Sequence, residues 1–175
     1  MSGAARVGVA RVGVARVGVA WADFEVAAPA MAAFVRERLL AHPHRYLATT
    51  RADGSPRLSG IELTIHAGQV WIGSMPGSCK MADLRRDPRL AIHSGCDDPP
   101  ALQGDARLSG VALFEEDEAV KADFLVAAGG GPPGPFELVR LRITQASTAR
   151  EAEGRDHLVI DAWRPGGPVR SLERR

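Results

Sequence analysis

The sequence predicts a mainly β (α+β) fold, a small antiparallel β-barrel of six or seven strands with about three flanking helices. Three observations carry that expectation. Short apolar runs follow one another through turns rich in Gly, Pro and Asp, as in an antiparallel meander. Only three segments show helical spacing or helix punctuation, too few to pair one with each strand. The chain has 175 residues, 45% of them hydrophobic and 25% charged, enough for one domain with a proper core.

In chain order, the first feature is a perfect tandem repeat, Arg-Val-Gly-Val-Ala three times over residues 6–20. A period of five moves the valine face to the other side at every repeat, so no single strand or helix buries it consistently. Residues 1–20 are therefore expected to form a disordered extension, with the folded domain over residues 21–175. Three units of this length are too short for a solenoid, and arginines interrupt what would be the apolar stretch of a secretory signal. Over residues 29–41, Met31, Phe34, Val35 and Leu39 recur at i, i+3, i+4 and i+8, with Arg36, Glu37 and Arg38 on another face, which predicts an amphipathic helix ended by Pro43. Strands are expected over 45–51, 57–66 and 69–74, linked by Ala52-Asp-Gly-Ser-Pro56 and by Ala67-Gly68. A short helix over 78–86, closed by Asp87-Pro88, leads to strands over 89–94 and 105–114. A helix over 115–128 and a Gly/Pro-rich break precede the alternation of Val139, Leu141 and Ile143 with Arg140, Arg142 and Thr144, and a last strand covers 157–163.

Two strands share a signature. Arg57-Leu-Ser-Gly60-Ile-Glu-Leu63 and Arg107-Leu-Ser-Gly110-Val-Ala-Leu113 both shift their apolar phase at the glycine. A bulge or corner at each glycine would restore one buried face; alternatively, the glycines clear space for a bound planar ligand.

Composition excludes several functions. With 22 Lys+Arg against 21 Asp+Glu, net charge +1, the chain lacks the strong basicity of a protein that lives by phosphate contacts to nucleic acid. No apolar run approaches the ~20 residues of a membrane span. Cys79 and Cys96 lack zinc-type spacing and His42-Pro-His44 lacks a third ligand, so no metal is expected, and a cytoplasmic, reduced protein is the default. No Ser-His-Asp set, carboxylate pair or Cys-His pair stands out, and catalytic residues are unknown at this stage. Chemistry concentrates in WIGSMPGSCKMADLRRDPR, residues 71–89. A nucleotide P-loop needs Gly-Lys-Ser/Thr in direct succession, whereas Lys80 stands three residues after Gly77 and before Met81, so that reading fails. A different anion site remains, with hydroxyls from Ser74 and Ser78 and the charge of Lys80 at a helix start.

Through LATTRADGSPRLSGIEL, VWIGSMPGSCKMADLRRDPRLAIHS and GDARLSGVA, the chain resembles the flavin-binding split-barrel family, the pyridoxamine 5'-phosphate oxidase-like proteins. The resemblance implies a split barrel with FMN at a homodimer interface, a small-molecule substrate, and neither nucleic acid nor membrane as partner. By position it implies Lys80 as phosphate ligand with Ser78 in the same loop, Ser74 reaching the flavin, Arg57 and Ser59 on a phosphate- and ring-contacting strand, and Asp105 or its neighbour Arg107 facing the flavin. The family's arginines at the positions of Cys79 and Ser59 are missing, and Arg57 and Arg85 are the candidate replacements. The implied function is an FMN-binding oxidoreductase moving electrons or a hydride to an unidentified small molecule. Two alternatives stand beside it: a deazaflavin-dependent reductase on the same fold, since Trp163-Arg164-Pro-Gly resembles the ending of the actinobacterial-type members, some of which use the deazaflavin coenzyme, and a non-catalytic flavin- or haem-binding or sensing protein.

Overall fold

The computed structural model describes residues 18–96, 103–131, 134–154 and 156–175. Nine antiparallel strands and four helices alternate unevenly along them: α1 (Trp21–Ala27), α2 (Pro29–Leu40), β1 (Arg45–Thr50), β2 (Pro56–Ile61), β3 (Thr64–His66), β4 (Gln69–Ser74), α3 (Cys79–Arg86), β5 (Arg89–His93), β6 (Asp105–Glu115), α4 (Glu118–Ala127), β7 (Glu137–Glu151), β8 (Leu158–Trp163) and β9 (Arg170–Arg174).

Local chemistry places the turns. Between β1 and β2, Gly54 takes φ 83° while the Asp53 carboxylate accepts the Ser55 N–H at 2.9 Å. Between β3 and β4, Ala67 and Gly68 both have positive φ, as a two-residue I′ hairpin requires. The sheet order is β2-β1-β5-β6-β7-β4-β3, with β8 on β7 and β9 on β8. β2 and β3 lie at opposite ends of that order, yet only Glu62 and Leu63 separate them in the chain. The sheet must therefore curl until its ends meet, and no ladder joins them among the described residues: this is a split barrel.

β7 is the spine. Its first residues pair with β4, its last with β8, and its length with β6. The core fills the barrel and the space under α1 and α2, where Trp21, Phe24 and Trp163 are buried with ring centroids 5.5 Å and 4.7 Å apart along the chain of contacts. A second cluster of Trp71, Phe124 and Leu138 fastens α4 to the sheet.

Several expectations are refined. The expected strand over 57–66 is two strands, the one ending at 163 is followed by β9, and α1 adds a helix; β9 is exposed throughout and carries no apolar period by which sequence reading would find it. Arg38 faces inward and donates to Gln103 Oε1 at 2.7 Å instead of lying on a solvated face. Only one of the two glycine signatures marks a bulge: register shifts at Ser109/Gly110, whereas β1 and β2 pair without interruption through Gly60. Most of the repeat lies outside the described residues, but its last residues, assigned by the sequence to the extension, are held: Val19 exchanges two backbone hydrogen bonds with Ile143, and Ala20 is buried.

Candidate functional site

β4 ends at Ser74, the loop Met75–Pro76–Gly77 turns, and α3 begins after Ser78. Gly77 takes φ 69°, a conformation that L side chains rarely adopt, and so fixes the tightness of the turn. Ser78 occupies the N-cap position with extended backbone, but its side chain makes no capping bond; its Oγ lies 2.9 Å from Ser74 Oγ instead. Lys80, the second residue of the helix, is half-buried and lines a cavity of about 750 Å³ together with Ser74 and Met75.

That cavity sits at the split of the barrel. Its walls come from Gly60, Ile61, Glu62, Leu63 and Thr64 around the link of β2 to β3, from the end of β4, from Phe124, Leu125 and Ala128 of α4, from Phe136, and from His44 and Arg45 at the start of β1. Its volume falls in the range of small-molecule sites, about 300–1,000 Å³, and its walls offer polar and apolar surface in near-equal measure.

The charges around it sort into two kinds. Arg57 donates to Asp83 Oδ2 at 2.6 Å, Arg86 lies 3.4 Å from Asp83 Oδ1, Arg85 grips Glu137 Oε1 at 2.6 Å and 3.0 Å, and Arg89 pairs with Asp87 at 2.5 Å. Lys80 and Arg45, by contrast, have no carboxylate within ion-pair distance among the described residues. Arg45 is 5% exposed; its Nε donates to the Leu39 carbonyl and its Nη1 to the Pro43 carbonyl at 2.6 Å, at the C-terminal end of α2. Burial pushes its guanidinium below its ordinary value, partly offset by the charge of Glu62. Glu62, the one carboxylate lining the cavity, is 80% exposed, with His44 Nε2 at 3.8 Å.

Of the residues the sequence singles out, Ser74 and Lys80 line the cavity, and Ser78, which is not among its walls, meets Ser74 through its Oγ. Arg57 and Ser59 lie on β2 away from the cavity, and their neighbour Gly60 is the one that lines it. Both candidate replacements for the missing phosphate arginines already meet carboxylates: Arg57 that of Asp83 and Arg85 that of Glu137, whose other oxygen accepts the Gly77 N–H at 3.2 Å. Asp105 opens β6 in a separate cluster, with His93 Nε2 at 3.6 Å, Arg107 at 3.5 Å and the Cys96 thiol at 3.8 Å. The donor atoms of His93, Cys96 and Asp105 lie within 4.8 Å of one another, a grouping that the sequence spacing does not reveal. There His93 Nδ1 accepts the Gly95 N–H at 3.0 Å, which directs the lone pair of neutral His93 to Gly95 and not into the cluster. The residue that sequence reading missed is Arg45. Its signal was a charge in phase with Leu47 and Thr49, the inward face of β1.

No helix among the described residues is long and apolar enough to cross a membrane. No curated protein sequence matches the chain. Among solved structures, ChuZ of Campylobacter jejuni aligns with TM-score 0.64 at 18% identity, over 82% of this chain and 63% of its own. A pyridoxamine 5'-phosphate oxidase-related, FMN-binding protein of Nostoc punctiforme aligns with TM-score 0.55 at 14% identity, over 87% and 97%. A heme-binding protein of Mycobacterium smegmatis aligns with TM-score 0.53 at 18% identity, over 80% and 57%. These likenesses show the fold, while the profile of the family described as "Pyridoxamine 5'-phosphate oxidase" matches residues 30–150, well over half of the sequence: the chain belongs to that family.

Proposed function

We propose that this protein is an FMN-binding oxidoreductase, active as a homodimer, that moves electrons or a hydride between the flavin and a small molecule. The observation that carries the reading is Lys80, a half-buried cation without a carboxylate partner among the described residues, set in a cavity whose wall includes Ser74, itself 2.9 Å from Ser78 Oγ, while both arginines of α3 stand against carboxylates. A phosphate near charge −2 is stabilised by such a lysine and by serine donors. Lys80, Ser74 and Ser78 would hold the phosphate. Ile61, Leu63, Phe124 and Phe136 would enclose the ring and exclude water. The flavin, when bound, supplies the redox chemistry, and the chain's part is to bind and orient. For the dimer, the outer face of β1 and β2 exposes Tyr46 (55%) and Leu58 (73%) on one side of the sheet.

The purified protein is expected to take up FMN with an absorbance band near about 450 nm, the signal of the chromophore itself. Reduction of that flavin by NADH or NADPH, with turnover of a second small molecule, completes the reading. A protein that refuses FMN and binds the deazaflavin overturns it in favour of that coenzyme; flavin bound but never reduced makes the protein a carrier or sensor. Lys80→Ala should weaken FMN by the loss of a charge-assisted contact of roughly 1.5–3 kcal/mol, about 10- to 100-fold in Kd. Unchanged affinity would refute the phosphate assignment.

A further inference from the structure

We infer that Arg45 is a second anion-binding point in the same cavity, and that the small molecule bound beside the cofactor is an organic acid, with a carboxylate on an apolar body. The inference rests on the reading that Lys80 takes the cofactor's phosphate.

A guanidinium carries five N–H donors in a planar fork. In Arg45 the carbonyls of Leu39 and Pro43 take one at Nε and one at Nη1, so three remain, on a side chain that is 5% exposed and lines the cavity. The Leu39 carbonyl lies in the last turn of α2 and that of Pro43 just beyond it; the helix C-terminus offers about half a negative charge, which lessens the charge of Arg45 without cancelling it. A buried charge left without a counter-charge is unfavourable, and proteins ordinarily pair it. Here even the less buried Arg57, Arg85, Arg86 and Arg89 stand against carboxylates, whereas the charge that acts on Arg45 is that of the exposed Glu62, outside ion-pair distance. Arg45 and Lys80 are the two cations of the cavity left for a ligand to neutralise.

They arise from separate elements, Arg45 at the start of β1 and Lys80 in α3, and a cavity of about 750 Å³ has room for more than one phosphate. A guanidinium matches a carboxylate through two parallel hydrogen bonds. The cavity's other side chains select the rest of the molecule: Ile61, Leu63, Phe124, Leu125 and Phe136 favour an apolar or aromatic body over a sugar or a peptide. Glu62, mostly in solvent at the mouth, disfavours a second acidic group there.

The test uses the full chain loaded with FMN and titrated with benzoate and with benzamide, which has the same shape without the charge. The visible flavin spectrum and the unfolding temperature are both followed. Benzoate is expected to shift the spectrum saturably and to raise Tm, with benzamide roughly tenfold weaker or more. In Arg45→Gln the benzoate affinity should fall to that of benzamide while FMN affinity stays the same. Arg45→Lys, which keeps the charge but not the fork, should fall between the two and serves where Arg45→Gln does not fold. Equal binding of benzoate and benzamide by the wild type overturns the inference. So does an Arg45 variant with lower Tm but unaltered benzoate affinity, because that is the behaviour of a residue that merely ties the end of α2. A wild type that binds no FMN refutes the Lys80 reading instead; the same titrations of the FMN-free protein, followed by Tm, still report on Arg45.

Discussion

Asp83 shows how one side chain redistributes the roles that a sequence suggests. It is 3% exposed and accepts from Arg57 Nε, Thr49 Oγ1 and Arg86, so it ties α3 to β1 and β2. The Arg57 hydrogen bond, foremost among the causes, holds its carboxyl below the ordinary value against the opposing effect of burial. A carboxyl whose folded pKa is depressed adds stability above its unfolded pKa, about 3.9, and loses it as pH falls through the folded value. Asp83→Asn should therefore lower Tm at pH 7, with the gap to wild type closing as the pH drops below about 4. A gap that stays constant from pH 7 to pH 3 would contradict the assignment. The strand, tight turn and helix start that carry Ser74, Ser78 and Lys80 were legible in the sequence because they join neighbours along the chain. The pairing of Arg57 was not legible for the opposite reason: its partner is 26 positions away on another element, and nothing local announces it.

At the scale of the element, the paired glycine motifs separate two reasons for having no side chain. A Cβ on Gly110 would stand 2.1 Å from the Arg142 carbonyl oxygen and 2.6 Å from Leu141 Cδ1, so β6 and β7 close against each other only with glycine there. On Gly60 a Cβ would meet nothing within 4 Å. Gly110→Ala is expected to destabilise the fold by about 1–3 kcal/mol, the usual range for overpacking, and Gly60→Ala to leave Tm nearly unchanged. Urea unfolding of the two variants side by side checks this; equal losses would show that the β6 bulge has no special demand. The same close approach explains the end of the repeat. Gly18 lies against Ile143, where a Cβ would be 2.3 Å from the carbonyl oxygen, and Arg142 Nε donates to the Gly18 carbonyl at 3.0 Å. A period of five cannot bury a whole repeat, yet three of its residues suffice to add a bridge to β7.

At the scale of the molecule, curling of the sheet brings β2 and β3 together without pairing them, and the cavity opens where that pairing is missing. The outer face of β1 and β2 carries the apolar surface assigned above to the dimer. If the proposed dimer forms through this face, Leu58→Glu should give a monomer by light scattering, with little change in monomer fold because Leu58 is 73% exposed; a variant that stays dimeric moves the interface elsewhere. Short-range chemistry was enough for the sequence to determine the antiparallel strands, the helix over most of α2, the loop that presents Lys80 and the absence of a nucleotide P-loop, since turns, caps and periodicity act within a few residues. Only the tertiary structure decided which arginines stand against carboxylates and that Arg45 stands against carbonyls instead. A charge is paired or unpaired according to the carboxylates that folding delivers to it from distant strands and helices. Arg57 and Arg45, both on strands with inward-facing positions, ended on opposite sides of that division.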